Sequence, residues 1–332
     1  MLFSVGYQLR EDDLFLNAVL DNKEHISELY FPWDDFPNGR SILSGSEIYK
    51  YDAIKKIDSD FVKIKAVGIK FNLLLNANCY GADAQSRNFF LKVGDAVDYL
   101  TERYGLSAVT TTSPLIAKFL KQNFPCIDVR ASVNMGIEGT DAMDYISDRF
   151  DSFYLKREYN RDMKRLKEIK AWCDKNSKRL YGLCNSGCLN FCSAHTFHDN
   201  LVAHENEIAA MDNAYDFEGQ CFTYLSREDK KREFLRITNF IRPEDVQMYE
   251  GLFDGMKLAT RVNRNPARII NSYVKGSYSG AVTELLEPDH SRMFYPYVIE
   301  NKKIPNDFAL KRATCDNNCE ACGYCSQVFE KD

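Results

Sequence analysis

The chain has 332 residues, 45% of them hydrophobic and 27% charged, and carries a formal net charge of −5. That length suits one large barrel domain or two smaller domains, and the acidic balance supplies no global field that would draw nucleic acid. No stretch approaches the roughly 18–20 apolar residues a membrane span needs. Met1 to Tyr7 has no basic region followed by a long apolar segment, so no signal peptide is expected and the expected compartment is the cytoplasm.

Short apolar, β-rich runs alternate with amphipathic stretches along the chain. Strands are predicted over 2–9, 25–31, 62–75, 108–111, 127–133, 152–155, 179–183 and 255–259. Helices are predicted over 87–104, 114–123, 140–150 and 161–176. Such alternation argues for a parallel sheet covered by helices. About eight units over roughly 260 residues match a closed β/α barrel, with an open doubly wound sheet as the alternative. Ser113-Pro114 reads as a helix cap followed by proline in the first turn. Asn160 is a candidate cap for the next helix, whose run Lys164, Arg165, Lys167 and Lys170 reads as a solvated face. Arg242-Pro243-Glu244-Asp245 reads as a further start, with two acids where the helix dipole favours them. Residues 263–308, rich in Tyr, Ser, Pro and Asn, have weak periodicity and are expected to bring the tail back onto the barrel. The expected architecture is α/β: a TIM-like β/α barrel over 1–262 and an irregular, cysteine-rich C-terminal extension over 263–332.

Cysteine usage is the anomaly, because a reducing compartment rules out reading eleven cysteines as a disulfide framework. Cys79, Cys126 and Cys173 are scattered, as small core hydrophobes are. The tail Cys315-Asp-Asn-Asn-Cys319-Glu-Ala-Cys322-Gly-Tyr-Cys325 is different. Such tight spacing lets one turning loop aim several thiolates at a common centre, as a 4Fe–4S cubane requires. Zinc is the chemical competitor, but its four-cysteine sites usually pair two-residue spacings across a longer gap. The three-and-two step also matches the radical-SAM triplet, which belongs early in its barrel and not at the C-terminus.

A second group, Cys184, Cys188 and Cys192, directly follows the predicted strand 179–183. It therefore lies on the face where barrel sites are built. Steps of four would put all three on one helical stripe, with Cys221 the nearest candidate for a fourth ligand. His195, His198 and His204 follow as candidate ligands, proton carriers or plain surface residues. Arg157 and Glu158 end one predicted strand; Lys257 and Arg261 end another. At a barrel mouth these would bind a carboxylate through paired contacts or form a structural ion pair. Asn76, Asn78 and Asn134, also at strand ends, are compatible with polar ligand contacts. The sequence has no phosphate-cradling glycine loop, no HExxH and no GxSxG elbow.

Taken together, these pieces resemble the collagenase-like peptidases of the U32 family in a divergent form, over roughly residues 60 to 262. The resemblance runs through Ala131-Ser-Val-Asn134, Leu155-Lys-Arg157-Glu158, and Gly187-Cys188-Leu-Asn-Phe-Cys192 with its downstream histidines. It closes with Phe240-Ile-Arg242-Pro243-Glu244-Asp245 and Asp254-Gly-Met-Lys257-Leu-Ala-Thr-Arg261. It implies a barrel-like core and a 4Fe–4S cluster held by barrel cysteines, here Cys188, Cys192 and Cys221. Cys184 lies outside the matched motif. Family members include oxygen-independent hydroxylation proteins acting in ubiquinone synthesis or on RNA bases, some taking the oxygen atom from prephenate. Others were named proteases or collagenases, although the sequence pattern offers neither a nucleophile–base pair nor a zinc-hydrolase motif.

The compact tail departs from the family pattern, as a second cluster or a ligand lent to the first. The resemblance leads to the expectation of an iron–sulfur-dependent enzyme with one or two 4Fe–4S clusters, performing an oxygen-independent hydroxylation or related modification. Arg157, Glu158, His195, His198, Lys257 and Arg261 are its candidate catalytic residues. A peptidase, or a non-catalytic partner or electron-transfer subunit, is the alternative. The expected partners are a small-molecule or protein substrate and a protein subunit; RNA is disfavoured by the acidic balance, and no membrane is involved.

Overall fold

The computed structural model describes residues 1–33, 36–38, 50–316 and 318–330. Eight parallel strands close into a barrel in chain order: β1 (Phe3–Gly6), β2 (Ile26–Phe31), β3 (Lys70–Leu75), β4 (Leu106–Thr111), β5 (Asp128–Ala131), β6 (Ser152–Tyr154), β7 (Arg179–Leu183) and β8 (Gly255–Leu258). Closure comes from β8 beside β1, in the register Phe3↔Met256, Ser4↔Lys257 and Val5↔Leu258. The strands are short and buried on both faces, as a sheet enclosed by helices must be.

Two predicted helices have the bounds read from the sequence. Helix Arg87–Tyr104 starts at Ser86, whose hydroxyl accepts from the Phe89 N–H at 3.4 Å, and ends at Gly105 with φ +76°. Helix Pro114–Asn123 is capped by Ser113, whose hydroxyl accepts from the Ile116 N–H at 3.3 Å. The predicted strand 62–75 divides instead. Lys50–Ala66 is a helix that buries Ala53, Ile57, Phe61 and Ile64, a three-and-four spacing that lays one helical face on the barrel. Gly68, at φ +84°, turns the chain before β3 begins. The predicted helix 140–150 is helical only over Thr140–Asp144. Asp162, not Asn160, caps helix Met163–Lys175, accepting from the Arg165 N–H at 3.0 Å. The Asn160 amide instead donates to the carbonyls of Leu183 (2.8 Å) and Asn239 (3.0 Å), tying β7 to the chain that returns toward β8.

The barrel lumen is charged. Arg130 on β5 donates to Glu28 on β2 at 3.1 Å. These strands are not neighbours, so the bond crosses the interior. Glu28 also accepts from Ser4 (2.9 Å) and Asn72 (2.8 Å); Thr110 donates to Asn72 at 3.0 Å. Arg130 pairs with Asp128 as well and lies 3.9 Å from the centre of the Tyr181 ring. The charges of Arg130, Glu28 and Asp128 are therefore matched, the condition under which such groups are tolerated inside.

Beyond β8, helix Pro266–Lys275 joins the main core through Ile269, Ile270 and Tyr273. A second apolar cluster joins Val282, Phe294, Ile304, Phe308, Cys325 and Val328 to Leu225, Phe234 and Phe240 of the β7–β8 connection. The long connection and the C-terminal segment thus pack on each other.

Candidate functional site at the barrel mouth

A cavity of about 360 Å³ opens where the strands end. Cys188, Cys192 and Cys221 line it, together with Arg157, His195, His198, Lys257 and Arg261. Its wall also includes Asn76, Asn78 and Asn134, in accord with their positions at strand ends.

The loop carrying the first two thiols is not a helical turn. Cys184 continues the edge of β7, its N–H donating to the Lys257 carbonyl at 3.0 Å. Gly187 N–H then donates to the Glu287 carbonyl (2.8 Å) and Asn190 N–H to that of Ile237 (2.7 Å). Backbone partners on other segments hold this stretch extended, so the steps of four do not form one stripe. Cys184 points into the core, its Sγ 3.7 Å from the Met256 sulfur, and burial pushes its thiol up. It does not line the cavity.

The remaining thiols form an electrostatic unit. Arg157 Nη1 donates to Cys188 Sγ at 3.3 Å and Nη2 to Asn134 Oδ1 at 3.3 Å. Burial works against the Arg157 charge, but Cys188, Asp199 and Glu158 outweigh it and hold the guanidinium above its ordinary value. Cys221 is pushed up to about 11, first by burial and then by Cys188 and Cys192, so the three thiols sense one another across the cavity. Burial and then Arg157 lower His195, whose Nε2 lies 3.3 Å from Asp199 Oδ2. Asp199 also accepts from the Asn78 amide at 3.0 Å. His198 packs its ring 5.3 Å from that of Phe217.

Lys257 rises from the lumen, 4.0 Å from the Tyr30 ring centre. Burial, and then the neighbouring Arg261, lower its ammonium to about 7. Glu158 is buried behind the site, its carbonyl accepting from the Asn239 amide, and does not line the cavity.

The tail cysteines lie elsewhere. Arg312 Nη1 faces both Cys315 (3.8 Å) and Cys325 (3.6 Å), and Cys319 interacts with Arg236. Cys322 is exposed at the end of the short helix Cys319–Cys322. Among the described residues, no three His, Cys, Asp or Glu side chains stand close enough to share a single metal ion. A zinc site draws its ligands to about 2.0–2.3 Å from one centre, whereas each thiolate of a cubane binds its own iron and stands farther from the next.

No family model matches the chain. An uncharacterized protease of Methanocaldococcus jannaschii is 26% identical over 275 residues, covering 80% of this chain and 78% of that one. The solved structure of the U32 peptidase Mk0906 superimposes with a TM-score of 0.56 at 15% identity, over 77% of this chain and 91% of that one. The structural match carries the barrel; the sequence match spans most of both chains. Tyr30, Asp199, Gln220 and Glu287 also line the cavity. Sequence reasoning missed all four. Glu287 arrives from the irregular C-terminal segment and Tyr30 from the far side of the lumen, and no local spacing announces either.

Proposed function

We propose that Cys188, Cys192 and Cys221 hold an iron–sulfur cluster at the barrel mouth and that the chain is an enzyme modifying an anionic small molecule bound beside it. The observation that carries this reading is the meeting of three thiols, two from the loop after β7 and Cys221 from a separate segment, on one cavity with Arg157, Lys257 and Arg261. Thiolates are the ligand type that selects iron–sulfur clusters, and the half-buried Arg157 already donates to Cys188. When bound, the cluster would supply redox or substrate-activating chemistry, consistent with an oxygen-independent hydroxylation. Arg157 offsets thiolate charge and fixes the Cys188 side chain. Lys257 and Arg261 bind the substrate's carboxylate or similar anion, and His195, oriented by Asp199, carries a proton.

The tail fits a second centre. Arg312 is buried between Cys315 and Cys325, and its Nε has no hydrogen-bond partner among the described residues. This favours a second cluster near Arg312 and Arg236, which could feed electrons to the first or serve a partner subunit.

Iron and acid-labile sulfide counted per anaerobically purified chain test the proposal. About four irons are expected for one cubane and about eight for two, with Cys188→Ala, Cys192→Ala and Cys221→Ala each removing about four. Protein free of iron and sulfide after anaerobic reconstitution would end it.

A further inference from the structure

Lys257 stands near the end of β8 and lines the cavity. Its Nζ lies 4.0 Å from the Tyr30 ring centre and 5.7 Å from that of Tyr154. Tyr30 meets it with the ring, because the Tyr30 hydroxyl donates to the Leu258 carbonyl at 2.8 Å. Among the described residues, no oxygen accepts a hydrogen bond from this amine and no carboxylate pairs with it. Lysines of comparable burial differ. Lys56 reaches Asp13 at 2.9 Å, Lys231 reaches Glu228 at 3.0 Å, and Lys178 donates to the Ser147 and Phe150 carbonyls at 2.6 and 2.7 Å. An ammonium set among aromatic rings with no counter-oxygen gives up its proton readily, which leaves a nucleophilic amine. Burial and the charge of Arg261 act in the same direction. Arg261 lines the same cavity and offers a guanidinium that a carboxylate can bridge. A nucleophilic amine and a guanidinium on one wall suit a ligand that carries both a carbonyl carbon and an anionic end.

We propose that Lys257 is an imine-forming residue, whose amine condenses with the carbonyl of a small carboxylate-bearing aldehyde or ketone while Arg261 holds the carboxylate. The step rests on the reading of the cavity as an anion site and adds covalent chemistry that needs no cluster. The uncharged amine adds to the carbonyl carbon, forming the C–N bond, as a proton passes from nitrogen to the carbonyl oxygen. The resulting hydroxyl takes the proton that the ammonium first released and leaves as water. The nitrogen lone pair then closes the C=N bond. Overall, one ammonium and one carbonyl become one protonated imine and one water, with no change of oxidation state. The protonated imine acidifies the C–H beside it, and His195 on the same cavity wall carries that proton.

The test incubates anaerobically purified full-length protein with pyruvate and sodium cyanoborohydride, which reduces an imine to a stable secondary amine. At about pH 7, peptide mass spectrometry should find the reduced adduct on Lys257 at least about tenfold above any exposed lysine, whose ammonium stays charged there. Lys257→Met should remove the adduct. Arg261→Gln should lower labelling by pyruvate about tenfold and spare labelling by acetaldehyde, which has no carboxylate. Malonate, with anionic ends and no ketone, should protect against pyruvate. Labelling of Lys257 no faster than that of exposed lysines overturns the proposal, as do equal losses for pyruvate and acetaldehyde in Arg261→Gln. Malonate binding without any adduct sinks the imine and leaves the anion site standing; absence of both sinks the two together. Iron is counted on the same samples, so the fate of the cluster at Cys188, Cys192 and Cys221 is read separately.

Discussion

Replacing Arg130 with methionine should damage the fold by a calculable amount. The side chain is buried and donates to Glu28 while pairing with Asp128 at 2.7 Å. Removing it strands Glu28, which keeps only the neutral donors Ser4 and Asn72. Asp128 retains Arg179 at 2.8 Å and Ser152 at 2.6 Å. Breaking one side of a buried ion pair costs about 3–5 kcal/mol. The 332 residues, at about 2.1 cal/mol/K each, give an unfolding entropy of about 0.7 kcal/mol/K, so the melting temperature should fall by about 4–7 °C. Glu28→Gln keeps the Ser4 and Asn72 bonds and leaves Arg130 on Asp128, and should cost about 1–2 kcal/mol. The double variant leaves no unpaired charge at Glu28 and should melt above Arg130→Met alone. Calorimetric melts of the three variants decide the matter. Strictly additive shifts, or a fall of less than about 1.5 °C for Arg130→Met, would refute the reasoning.

Lys257 gives a pH-dependent anion site. Its ammonium, lowered to about 7, is charged below that pH, so malonate affinity measured by titration calorimetry should fall as pH rises through about 7; Lys257→Met should flatten that dependence. Arg157→Lys keeps the charge but loses the fork that reaches both Cys188 and Asn134, and should lower iron per chain after reconstitution. In Gly187→Ala the new Cβ would stand 2.4 Å from the Pro288 carbonyl oxygen, so the thiol loop must move; both melting temperature and iron content should drop. Ser113→Ala removes a helix cap and should cost about 1 kcal/mol, a fall of roughly 1–2 °C.

Where local signals agree, the sequence announces the structure. Ser86 with Gly105, and Ser113 with Pro114, bracket helices whose bounds follow from capping chemistry. Strand β7 stands out as a short run that leads directly into the thiol loop. The failures have physical causes. Residues 62–66 look strand-like because their apolar side chains run on into β3, and the helical face they complete begins earlier, at Ala53. The even steps between Cys184, Cys188 and Cys192 mimic a helix, yet backbone partners from β8 and the C-terminal segment fix an extended path. The joint presence of Cys188, Cys192, Cys221, Arg157, Lys257 and Arg261 on one wall was legible because strand ends in a β/α barrel converge.

The clasp between residues 185–187 and 285–290 has a temporal consequence. Asn185 bonds the Leu285 carbonyl through its side chain and accepts from the Glu287 N–H; Gly187 bonds Glu287 in return, and His290 lies 2.9 Å from the Gly187 carbonyl oxygen. The shape of the thiol loop is therefore written about a hundred residues downstream of the thiols themselves. On the ribosome, where chains fold from the N-terminus, the barrel strands emerge before that template does. The loop therefore takes its final spacing only once residues 285–290 have emerged and folded against it.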